Sequence, residues 1–170
     1  MAAIADLERL YDAHAQALYA FILNLTRNEA DTRDILQEVF LRLARDPGII
    51  RRARDERRFL LRTAHNCAVD HFRRREAGSR AQENLQQQMA GLFETAEDPD
   101  LNGFRKAAEK GLGKLPIDQR TVIHLRLWED MTFQEISELL DISINTAASR
   151  YRYGIDKLRA ELRPIYEEIL

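Results

Sequence analysis

The chain has 170 residues, 45% hydrophobic and 32% charged, with a net charge of −2, a composition that suits one or two small soluble domains. Its single cysteine, Cys67, excludes an internal disulfide framework and a cysteine-rich zinc site. No stretch approaches the roughly 20 apolar residues of a membrane span, and MAAIADLERLYDAH brings acids instead of an apolar leader, so a cytoplasmic protein without membrane contact is expected.

Residues 2–26 have the period of a helix, with Ile4, Leu7, Tyr11, His14, Leu18, Phe21, Ile22 and Leu25 down its inner side. His14 continues that stripe and reads as a packed histidine. After a turn at Asn28-Glu29-Ala30, Asp31 is the expected cap of a second helix, with Asp34 near the positive end of its dipole. Ile35, Leu36, Val39, Phe40 and Leu43 face inward there; Asp34, Gln37, Glu38, Leu41, Arg42 and Arg45 line the outside. An exposed Leu41 among polar neighbours hints at a partner surface, although single surface leucines are ordinary.

Pro47-Gly48 stops this helix. RRARDERR (51–58) is either a basic loop or the lead-in to a third helix, FLLRTAHNCAVDHFRRR. Phe59, Leu60, Ala64, Cys67, Ala68 and either His71 or Phe72 pack inward, which makes Cys67 a buried structural thiol. Arg58, Arg62, His65, Asn66, Asp70, Arg73 and Arg74 form the other face. Such a face is either simply solvated or suited to phosphates and splayed bases. Residues 42–80 hold 12 bases against 5 acids, whereas residues 1–41 hold 3 against 7. That local excess, inside a chain of net negative charge, is an electrostatic footprint of nucleic-acid binding.

Residues 77–103 combine Gly78, Gly91, Gly103, a glutamine run and Pro99, and read as a linker with a weak helix around Glu83 to Phe93. At about 25 residues it is long for a loop inside one compact domain, so two domains are expected. Helices then follow at Phe104 to Leu112 and Pro116 to Trp128, and residues 164–170, PIYEEIL, read as a short tail.

The stretch from Thr132 to Tyr153 organises the second half. Thr132 and Glu135 form a T-x-x-E capping box, with Phe133, Ile136, Leu139 and Leu140 on one face behind it. Asp141-Ile142-Ser143 breaks the helix, and Ser143 caps the next one. That helix turns Ile144, Ala147, Ala148, Tyr151, Ile155, Leu158 and Leu162 inward and Asn145, Thr146, Ser149, Arg150 and Tyr153 outward. The layout is either an ordinary helical hairpin or a helix-turn-helix whose second helix enters a major groove. Charge favours the latter: residues 129–141 carry acids only, while Arg150, Arg152, Lys157, Arg159 and Arg163 outnumber the acids after Ser143. His14, His65, His71 and His124 lack a metal-ligand pattern and no glycine-rich phosphate loop is present, so neither catalysis, a metal nor a cofactor is expected.

Together these stretches resemble the extracytoplasmic-function group of bacterial sigma factors. DTRDILQEVFLRL resembles region 2.2, which docks on the polymerase clamp; FLLRTAHNCAVDHFRRR resembles regions 2.3–2.4, which open and read the −10 element. LPIDQRTVIHLRLWEDMTFQEISELLDISINTAASRYRYGIDKLRAEL resembles region 4, the reader of the −35 element. The resemblance implies an all-α chain of two small helical domains: residues 1–76 like region 2, a linker at 77–103, and residues 104–170 like region 4, containing the helix-turn-helix. Core RNA polymerase and promoter DNA are the implied partners, and in this family an anti-sigma factor often covers both domains. By matching positions, Asp34, Gln37 and Glu38, with the exposed Leu41, contact polymerase. Asn66, Asp70, Arg73 and Arg74 face the −10 strand, joined on the same helix face by Arg62 and His65. Asn145, Thr146, Ser149 and Arg150, beside Tyr153, face the −35 duplex. Arg33, His65, Ala148 and Asp141 depart from the common pattern; Ala148 in particular removes a basic contact, so promoter preference does not transfer from other members. The competing reading is a dimeric helix-turn-helix regulator that binds an inverted repeat without polymerase; a third, a polymerase-binding adaptor, leaves Arg150 and Arg152 without a role.

Overall fold

A computed structural model describes residues 2–78 and 99–169, which form helices joined by short turns, with no strand among the described residues. The chain divides into two compact units, Met1–Gln88 and Met89–Leu170. The segment expected to hold a weak helix at 83–93 lies outside the described residues.

The first unit contains α1 (Ala2–Thr26), α2 (Glu29–Arg45), the single turn α3 (Gly48–Arg51) and α4 (Glu56–Gly78). α1, α2 and α4 pack pairwise around Leu18, Phe21, Ile22, Leu25, Ile35, Val39, Leu60, Leu61 and Ala68. Each of these side chains larger than alanine, fully withdrawn from water, contributes about 1.5–3 kcal/mol before entropy is charged against it. Cys67 is free and buried, and burial raises its thiol pKa, as a structural cysteine requires.

Several details differ from expectation. The cap of α2 is Asn28, whose extended backbone lets its side chain accept the Asp31 amide, so the helix starts earlier than expected. Asp31 instead sits in the first turn, pairs with Arg75 and lies 3.2 Å from His71 Nε2. Ile4 and Tyr11 are exposed, and Leu10 takes the inward position. Tyr11 is turned to the Phe40 ring, 5.0 Å between centroids, at the margin of α1 and α2. The basic segment 51–58 is divided: α4 begins at Glu56, and Asp55 accepts the Arg58 amide at 3.1 Å ahead of it.

The second unit contains α5 (Pro99–Lys114), α6 (Ile117–Leu127), α7 (Phe133–Leu140) and α8 (Ile144–Ile169). α8 packs on all three of the others around Leu112, Leu115, Ile123, Tyr151, Ile155 and Leu158. α4 runs through Gly78 and α5 begins at Pro99, so residues 77–78 and 99–103, expected in the connection, are helical. The expected tail at 164–170 is also different: α8 continues through Pro164 to Ile169, with Arg163 and Glu167 paired across one turn. Gly154 is buried where α8 crosses α6; a Cβ there would stand 2.6 Å from Ile123 Cδ1. Close passage of the two helices at that point requires a residue without a side chain.

Candidate functional site

The helix-turn-helix is built by local hydrogen bonds. Thr132 Oγ1 accepts the Glu135 amide at 3.2 Å and Glu135 Oε2 accepts the Thr132 amide at 2.8 Å, closing the capping box at the start of α7. Asp141 then adopts the left-handed conformation (φ 55°, ψ 51°), and the Ile142 amide donates back to Ser137 O at 3.0 Å. Ser143 Oγ accepts the Thr146 amide at 3.0 Å, as its role as a cap demands. At the other end of the motif, Arg126 donates to Met131 O at 2.9 Å and lies over the Phe133 ring.

These bonds set which side of α8 is left outward. Asn145, Ala148, Ser149, Arg152, Asp156 and Arg159 line one side of a cleft of about 480 Å³, with Phe133 of α7 bordering it. Arg152 is exposed and its guanidinium lies 5.1 Å from the Tyr153 ring centroid; Tyr153 is itself 54% exposed. Of the five expected readers, Asn145 and Ser149 line the cleft and Tyr153 adjoins it. Thr146 shares its hydroxyl with Ser143 at 2.8 Å, within the cap. Arg150 is half-buried and paired with Asp118 of α6 at 3.4 Å. Arg152 lines the same cleft, although the sequence pattern counted it only among the basic residues of this helix. Its signal was spacing: it falls seven residues after Asn145 and seven before Arg159, about 20° from each around the helix.

In the first unit, α2 exposes Asp34, Gln37 and Leu41. Gln37 and Leu41 border an apolar cleft of about 450 Å³ that also takes in Leu7, Tyr11, Leu36 and Phe40. Glu38 is half-buried and accepts a 3.0 Å hydrogen bond from Arg42. On α4, Arg62, Asn66, Arg73 and Arg74 are exposed while His65 and Asp70 are half-buried. Asp70 lies 3.4 Å from Arg42 Nη2, so an expected strand-facing residue is tied to α2. The hydrogen bond to Glu38, ahead of the contribution of Asp70, raises the Arg42 pKa.

Among the described residues no group of three or more His, Cys, Asp or Glu could hold a metal ion, and no helix is long and apolar enough to cross a membrane.

Sigma-70 region 2 matches residues 10–78 and Sigma-70 region 4 matches residues 111–160. The chain is 27% identical to the ECF RNA polymerase sigma factor SigX of Bacillus subtilis, over 95% of this chain and 86% of that one. It is 29% identical to the ECF RNA polymerase sigma factor SigL of Mycobacterium tuberculosis, over 95% and 91%. The chain belongs to the extracytoplasmic-function sigma factors. As a sigma factor it is a transcription initiation factor: it binds core RNA polymerase and directs promoter recognition. The segment ahead of the helix-turn-helix unit is thus Sigma-70 region 2, where the dimeric-regulator reading expects a sensor or receiver domain. The fold also matches the sigma factor RpoE of Bartonella quintana, solved in complex with the anti-sigma factor NepR (TM-score 0.74, 19% identity, 93% of this chain and 97% of that chain).

Proposed function

We propose that this sigma factor divides its work along the chain. Residues 1–76 hold the polymerase and read the −10 element, residues 104–170 read the −35 element, and residues 77–103 join them. The sigma factor performs no catalysis of its own and acts in the cytoplasm. Gln37 and Leu41, at the rim of the apolar cleft between α1 and α2, pack against the polymerase clamp, with Asp34 and Glu38 supplying the charged margin. Arg62, His65, Asn66, Arg73 and Arg74 meet the opened −10 strand, where guanidinium groups pair with phosphate and stack on bases.

The observation that carries the −35 assignment is the α8 face that lines the cleft. Asn145 and Ser149 offer donors and acceptors to base edges, and Arg152 offers the planar fork that suits guanine. Tyr153 supports Arg152 from below. Thr146 fixes the helix start and Arg150 lies at the edge toward α6, where a phosphate contact suits it better than a base. An anti-sigma factor is a fitting restraint, since the solved RpoE is bound to one.

Leu41→Asp tests the polymerase assignment. Leu41 is 43% exposed, so the change leaves the fold intact while placing a charge on the apolar cleft. Co-purification with core polymerase should be lost; full retention would remove the α1–α2 cleft as the docking surface.

A further inference from the structure

Between Arg62 and Arg74, the outward side of α4 carries one acid among its bases, Asp70. A bare carboxylate there would repel the phosphates that the neighbouring arginines attract. Asp70 is not bare. Arg42 of α2 reaches across with Nη2 at 3.4 Å from Asp70 Oδ2, while its Nε donates to Glu38 Oε1 at 3.0 Å. Glu38 stands one helical turn before Arg42, so it holds the guanidinium from its own helix and leaves the fork free to reach α4. A lysine, with a single ammonium, could not face both carboxylates with separate nitrogens in this way.

We infer that Arg42 is a positioning residue for promoter binding: it neutralises Asp70, holds it against α2, and so keeps the DNA-facing side of α4 positive. The inference rests on the proposed assignment of α4 to the −10 strand. It also ties Glu38, on the polymerase-facing helix, to a carboxylate on the DNA-facing one through a single side chain.

The test uses the full chain bound to core polymerase, and a promoter recovered from a random duplex library by the wild-type holoenzyme. Arg42→Gln should weaken promoter binding by roughly fivefold, the scale of a partly exposed charge interaction. The loss should shrink as salt rises, and core polymerase binding should stay within about twofold of wild type, since the exposed rim residues are unchanged. Adding Asp70→Asn to Arg42→Gln should restore promoter binding, because the exposed charge is gone. A merely structural bridge would not be rescued by that second change. Arg42→Gln without effect, or a double variant no better than the single, overturns the inference. Asn66→Ala and Arg73→Ala separate it from the reading beneath it. If both weaken promoter binding while Arg42→Gln does not, only the role of Arg42 falls. If neither does, the assignment of α4 falls and takes this inference with it.

Discussion

Arg150 Nη2 lies 3.4 Å from Asp118 Oδ2, and this pair turns the first arginine of the recognition helix away from the cleft and toward α6. Arg152, two residues on, occupies the cleft instead. Arg152→Ala should therefore cost about 1–3 kcal/mol on a matched −35 duplex and much less on random DNA, as loss of a bidentate base contact does. Arg150→Ala should cost less, equally on both DNAs, with a smaller salt slope. Fluorescence anisotropy at several salt concentrations measures all of these. The reverse ranking would return Arg150 to the base-reading role.

Asp141 keeps a Cβ in a left-handed turn, at φ 55°. Aspartate tolerates that conformation better than most residues, but glycine adopts it without the steric cost. Asp141→Gly should stabilise the second unit by about 0.5 kcal/mol, and Asp141→Val should destabilise it by more than about 1 kcal/mol. Urea midpoints with an unchanged m-value would establish both; a destabilising Asp141→Gly would mean that the aspartate side chain does more than fill the turn.

Glycines separate by what surrounds them. Gly154→Ala would push its Cβ against Ile123 Cδ1 and, at 3.3 Å, Gln119 Cβ, with Ile123 fully buried. Overpacking of about 1–3 kcal/mol exceeds the helix-propensity gain of about 1 kcal/mol, so the change should be destabilising. Gly103→Ala meets nothing within 4 Å inside α5 and should stabilise by about 0.5–1 kcal/mol. Thermal unfolding of the two variants should move in opposite directions.

Much of this arrangement was legible in the sequence wherever the determinant is local. The Thr132–Glu135 box and the Ser143 cap depend on side chains three residues from the amides they serve, so the turn and the start of α8 could be read directly. The phase of α8 could not. Ile144 counts as apolar and draws the inner stripe toward itself, yet it is 46% exposed at the first turn. Gly154 adds nothing to a hydrophobic stripe, yet it lies buried against α6 with no space for a Cβ. With both accounted for, the outward face rotates, so that Arg152 lines the cleft while Arg150 lies toward α6. In α2 the ambiguity was of a different kind. Asn28 and Asp31 are both good caps by type, and only the extended backbone of Asn28 decides between them. The pairing of Asp70 with Arg42 spans 28 residues of sequence, beyond the reach of any helical pattern.

The acid limb of stability is expected to involve Glu56. Its hydrogen bond from Arg9 holds the carboxyl pKa below the ordinary value, against a smaller opposing effect of burial. A lowered folded pKa means that the contribution is fully present above the unfolded value and is lost as pH falls through the folded one. The pair is largely solvated, so Glu56→Gln should cost at most about 1 kcal/mol at neutral pH. The difference from wild type should close as the pH drops below the folded carboxyl's pKa. A difference that persisted unchanged into strong acid would mean that Glu56 stabilises by packing and not by charge.

This chain selects promoters together with core polymerase. The direct measurement is selection from a random duplex library by core polymerase alone, by the chain alone and by the two combined, followed by sequencing of the competitor-resistant complexes. The combination should enrich two separate sequence blocks at a fixed spacing, and Leu41→Asp should abolish both; neither component alone should enrich either. Enrichment of an inverted repeat by the chain alone, with core polymerase adding nothing, would contradict the account.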